Sequence, residues 1–124
     1  MKFCWSTLRV NNMEESLRFY EEVVGLKIDQ RFPAGPGVEI AFLGKGETKI
    51  ELIHEAGAPK SDLGTDISWG FEVESLESIM ERLAKHEIVI TAGPFEPNPT
   101  TRFLFVEDPN GMKIQFVEKV HTSL

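Results

Sequence analysis

The two halves of this chain carry the same residue pattern, and a duplication of that size narrows the fold to two copies of one small module. Leu8-Arg9-Val10, followed by Asn11, Asn12 and an acidic amphipathic stretch, returns as Phe71-Glu72-Val73, followed by Glu74, Ser75 and a second such stretch, 63 residues on (71 − 8). Phe42-Leu43 returns as Phe105-Val106 at the same spacing. Lys49-Ile50-Glu51-Leu52 returns as Lys113-Ile114-Gln115-Phe116 at a spacing of 64 (113 − 49), the extra residue falling in a turn. Three matches in one order at nearly constant spacing define a repeat.

Each half reads as a strand, a helix and three further strands. Residues 4–10 are rich in aromatic and β-branched side chains, which suits a strand. Asn12 is a good helix cap, and Glu14 and Glu15 sit in the first turn, where the helix dipole favours acids. Met13, Leu17, Tyr20 and Val24 then form one apolar stripe, and Gly25 stops the helix. In the second half Ser75 caps, and Leu76, Ile79, Met80 and Leu83 form the matching stripe. Three extended runs follow each helix: residues 26–32, 38–43 and 48–54, then 88–91, 101–106 and 113–117. Gly93-Pro94 through Pro99 reads as a break, and Asp108-Pro109-Asn110-Gly111 has the residue order of a type I turn with a left-handed exit.

The pattern predicts an α+β fold of two tandem βαβββ modules in one domain over residues 1–124. Module 1 covers about 1–55, a linker about 56–66, and module 2 about 67–120. A helix covers one face of each sheet, and the eight strands are expected to curl into a half-open cup whose interior is the natural pocket.

Composition removes several function classes. The chain has 124 residues, 41% of them hydrophobic, enough for a core without staples. Its formal net charge is −7, with lysines and arginines scattered, which excludes the basic surface that nucleic acid needs. One cysteine permits neither an internal disulfide nor a cysteine zinc cluster. No apolar run approaches a membrane span and the N-terminus lacks a signal-peptide pattern, so a cytoplasmic protein is expected.

With the repeat in place, the sequence resembles the glyoxalase, bleomycin-resistance and extradiol-dioxygenase superfamily, the vicinal oxygen chelate proteins. The resemblance is carried by Leu8-Arg9-Val10, the Ser16-Leu17-Arg18-Phe19-Tyr20 helix ending in Val24-Gly25-Leu26, Ile50-Glu51-Leu52, Phe105 to Gly111, and Lys113-Ile114-Gln115-Phe116. It spans nearly the whole chain, and its wording is nearest to glyoxalase I, an enzyme of the family that isomerises a glutathione hemithioacetal.

That resemblance implies a divalent metal held by two His or Gln and two Glu, one from each of four strands. Carried over, the four positions are Trp5, Glu51, Ser68 and Gln115. An indole cannot bind a divalent ion, a serine is a poor ligand and an amide a weak one, so no cofactor is expected. A loose oxygen site for Mg or Mn from Glu51, Glu72 and Gln115 is the alternative. His54 falls at opposite strand parity to Glu51, and His86 and His121 lie outside the strands. Glu51 is either a base or anchor for a cationic ligand group, or a relic paired with Lys49, Gln115 or Ser68. Trp5 either stacks on a ligand or plugs the space where a metal would sit. Thr7 and Arg9 share its strand parity, and Ser68, Gly70 and Gln115 complete the expected ligand-binding set. Cys4 and Trp69 should point away from the pocket, and Asp108 should serve its turn. The leading expectation is a binder of a small organic molecule, in the manner of bleomycin-resistance proteins. The alternative is a glyoxalase-type lyase or isomerase, and a homodimer is expected in either case.

Overall fold

The structure, a computed structural model, describes residues 1–46 and 48–120. It divides into two compact units, Met1–Asp62 and Leu63–Leu124. In the first, β1 (Trp5–Arg9) leads into α1 (Met13–Arg18), which continues as a π-helix over Phe19–Val24, followed by β2 (Ile28–Pro33), β3 (Val38–Leu43) and β4 (Lys49–Glu55). In the second, β5 (Ser68–Val73) leads into α2 (Leu76–Lys85), then β6 (Ala92–Asn98), β7 (Thr101–Glu107) and β8 (Lys113–Lys119). The eight strands form two four-stranded sheets, one per unit, ordered β1-β4-β3-β2 and β5-β8-β7-β6. β1 and β4 run parallel, as do β5 and β8, so the repeat seen in the sequence is also a repeat of topology.

The expected caps form. The Asn12 side chain accepts from Glu15 N at 2.9 Å and Ser75 Oγ accepts from Ser78 N at 3.2 Å. Gly25 sits at φ 89°, and its N–H and that of Leu26 both close on Tyr20 O. The wide π turn alters the expected stripe: Phe19, Tyr20 and Val23 are buried, and Val24 is only half-buried. A turn with one extra residue rotates the following side chains away from 3.6-residue spacing.

The core of the first unit lies between α1 and one sheet face. Register fixes that face: Leu8 pairs with Leu52, Leu52 with Ala41, and Ile50 with Leu43, and all five are buried. The second unit repeats this with Phe116 beside Leu104 and Ile114 beside Val106. Trp69 is paired with Ile114, which places it on that helix-side face as expected.

The sequence reading misplaced one strand. Residues 88–91 were expected to be extended and Gly93–Pro99 to break the chain, whereas β6 runs from Ala92 to Asn98. β6 pairs only with β7, and its register shifts twice. An edge strand has one side free of ladder bonds, so Pro94 and Pro97 are tolerated there. Cys4, expected inside the first extended run, precedes β1 and is exposed.

The Asp108 turn is built as expected. Asp108 Oδ1 accepts from the backbone of Asn110 and of Met112, each at 2.8 Å, and Gly111 exits at φ 87°. No helix is long and apolar enough to cross a membrane among the described residues.

Candidate functional site

The sheet face turned away from α1 in the first unit carries most of the residues singled out from the sequence. Cross-strand pairing lays Thr7, Glu51, Phe42 and Gln30 in one row across β1, β4, β3 and β2. Arg9, Ile53, Ile40 and Phe32 form the next row, and Trp5 stands beside Lys49 at the other end.

Glu51 is 9% exposed, on the most protected strand of that face. The Thr7 hydroxyl donates to Glu51 Oε1 at 2.7 Å. Lys49, expected as a relic partner, is held instead by Asp29 Oδ2 at 2.6 Å. Arg9 directs a guanidinium N–H to Pro59 O at 2.6 Å and so ties β1 to the linker, whose Ser61 also donates to Arg9 O. His54, on the other parity, lines a crevice under the same linker with Arg9 and Lys60. His121 lies outside the described residues.

Around this carboxylate the face is aromatic. Phe42 pairs directly with Glu51 across β3 and β4. The Trp5 ring meets Phe42 edge-on at 5.3 Å, and Phe32 stacks over Phe42 at 6.3 Å and 23°. Trp5 is 51% exposed. Phe32 is 36% exposed. The sequence reading missed Phe42 and Phe32. A signal for Phe42 existed: a tight turn through Gly44-Lys45-Gly46 brings β3 back on β4, opposite Glu51.

The second unit builds the equivalent row with different chemistry. Gly70 pairs with Gln115, Gln115 with Phe105, and Phe105 with Ala92. Gly70 replaces Thr7, and a Cβ there would stand 3.2 Å from Gln115 Oε1, so the missing side chain is what lets the amide lie over the strand. Ser68 and Glu72 are exposed on this face, and Lys113 Nζ lies 5.8 Å from the Phe105 ring centroid.

Comparison with known proteins follows the same outline. The sequence profile of the Glyoxalase/Bleomycin resistance protein/Dioxygenase superfamily matches residues 3–116. A lactoylglutathione lyase of Neisseria meningitidis serogroup A is 37% identical over 128 residues, covering 96% of this chain and 91% of that protein. One of Escherichia coli O157:H7 is 33% identical, covering 96% and 93%. A glyoxalase family protein of Bacillus cereus superposes with a TM-score of 0.83 at 21% identity, over 98% of this chain and 95% of that one.

These relatives correct the expectation of no cofactor. Lactoylglutathione lyase is a metal-dependent enzyme of this family, so a metal belongs to what such relatives imply. Against that metal the donors at the four corresponding positions are incomplete. Trp5 offers an N–H and no lone pair, Ser68 a hydroxyl, Gln115 an amide and Glu51 a carboxylate. Among the described residues no group of three His, Cys, Asp or Glu gathers. The residues do not fit the ligand set that the resemblance implies, in which Glu51 is the one carboxylate.

Proposed function

Because this chain belongs to the Glyoxalase/Bleomycin resistance protein/Dioxygenase superfamily, we propose that it binds a small organic molecule on the first-unit sheet face carrying Trp5, Thr7, Phe42 and Glu51. The observation that carries this reading is a 9%-exposed carboxylate set among aromatic rings that remain open to solvent. A buried carboxylate costs desolvation energy that packing alone does not return, and exposed aromatic rings on the same sheet face are surface that a ligand covers. Arg9 belongs to the wider ligand-binding set of the same face. The binder is read as a cytoplasmic homodimer, expected by light scattering at twice the 14.0 kDa chain mass.

A thermal-shift screen of small aromatic compounds tests the binding reading. Compounds that raise the melting temperature of the parent are expected to lose most of that shift in Trp5→Ala. Hits that stabilise Trp5→Ala equally overturn the assignment of this face.

The relatives named lactoylglutathione lyase favour a second reading, a glyoxalase-type lyase or isomerase in which Glu51 moves a carbon-bound proton. In that case Glu51→Gln removes turnover of the glutathione–methylglyoxal hemithioacetal while leaving the melting temperature within a few degrees. Equal turnover in parent and variant contradicts it.

A further inference from the structure

Resting on the ligand-site reading of the first sheet face, we infer that its ligand is an organic cation: a protonated amine, amidine or quaternary ammonium group on a flat apolar body. The Glu51 carboxyl accepts a hydrogen bond but has no ion-pair partner among the described residues. Thr7 satisfies one carboxylate oxygen with a neutral hydroxyl. The cations of the same unit that stand nearest in register are committed elsewhere: Lys49 to Asp29, Arg9 to Pro59 O, and Arg31 to Glu14 and Glu39. Among the described residues no Lys, Arg or His forms an ion pair with Glu51. A carboxylate nine-tenths buried and without a countercharge favours a cation from outside the chain.

The aromatic neighbours select the same charge. Ring faces carry negative potential, so Trp5 and Phe42 attract a cation and repel an anion at the position where Glu51 does both. Trp5, half exposed, supplies a wall for the flat body, and Phe32 extends it. The net charge of −7 adds long-range attraction. The second unit gives an internal contrast: Gln115 holds the repeat position of Glu51, so the demand for a cation is confined to the first.

The test uses the full chain after dialysis against a chelator, with three probes of one shape: benzyltrimethylammonium, benzyl alcohol and benzoate. Binding is followed by tryptophan fluorescence and checked by calorimetry. The cation is expected to bind about tenfold more tightly than the alcohol, and benzoate more weakly than both. Glu51→Gln should bring the cation down to the level of the alcohol. Added salt should erode the cation's advantage in the parent protein, a readout that does not depend on the variant folding. Equal binding of cation and alcohol overturns the cation inference and leaves the binding site standing. Failure of all three to bind overturns both.

Discussion

Glu51 and Thr7 illustrate how a single hydrogen bond sets the character of a surface. The carboxylate lies on β4, between β1 and β3, and the hydroxyl that reaches it comes from the register partner on β1. Thr7→Val removes the donor while keeping the shape and strand preference of the side chain. Because Thr7 is exposed, water can partly replace it, and the loss is expected near the lower end of the cost of an unsatisfied acceptor, about 1 kcal/mol. Thr7→Ser should recover most of it. Chemical denaturation of the three proteins checks this, and identical midpoints would show that the bond does not hold Glu51. Asp108 is a second residue whose side chain acts through the backbone. Its Oδ1 accepts two backbone N–H groups in a buried turn, so Asp108→Ala is expected to cost about 3 kcal/mol by the same measurement. A loss under 1 kcal/mol would contradict that role.

At the scale of elements, each helix is fastened to its sheet by an arginine. Arg31 on β2 reaches Glu14 on α1 and Glu39 on β3, and Arg102 on β7 reaches Glu77 on α2 at 2.5 Å. The hydrogen bond and charge of Arg31 hold the Glu14 carboxyl below the ordinary glutamate range, and Arg102 does the same to Glu77. A carboxyl whose folded pKa is depressed stabilises the fold above its unfolded pKa and loses that contribution as pH falls through the folded value. The acid limb of stability should therefore flatten in Glu14→Gln with Glu77→Gln, at pH below the ordinary glutamate range. Both carboxylates are exposed, so the difference is small. Urea midpoints measured from neutral pH downward check it, and parallel profiles would contradict it.

The elements also show what the sequence conveys. Caps and turns were legible because a side chain reads only its own neighbourhood: Asn12, Ser75, Gly25 and the Asp108 turn each depend on fewer than six residues. β6 was not, because tolerance of Pro94 and Pro97 depends on the strand lying at the edge of its sheet, a property of the assembled unit. The π turn was hidden for a similar reason, since apolar spacing is read on the assumption of a regular α-helix. The candidate site divides the same way. Parity placed Trp5, Thr7 and Arg9 on one face of β1, and the repeat paired Glu51 with Gln115. The Thr7–Glu51 register crosses a parallel pair 44 residues apart, which no local signal sets. Phe32 and the diversion of Lys49 to Asp29 likewise required three-dimensional neighbours.

Over the whole molecule, duplication supplied two sheets of one design and divergence gave them different surfaces. The first row reads Thr7, Glu51, Phe42; the second reads Gly70, Gln115, Phe105. Where the first row has a hydroxyl–carboxylate pair the second has a glycine–amide pair, and a phenylalanine stands in both. Family membership supplies the fold. The chain's own residues in each row supply the chemistry, and of the two rows the first carries a carboxylate where the second carries an amide. Glu51→Gln, which gives the first row the amide of the second, is therefore the substitution that separates fold from function.

The most direct test is a map of amide and indole chemical shifts of the full chain titrated with benzyltrimethylammonium. The account predicts the largest changes at Trp5, Thr7, Phe42 and Glu51, with Gly70, Gln115 and Phe105 moving less. Changes concentrated on the second row, or scattered over the surface without a maximum near Glu51, would contradict it.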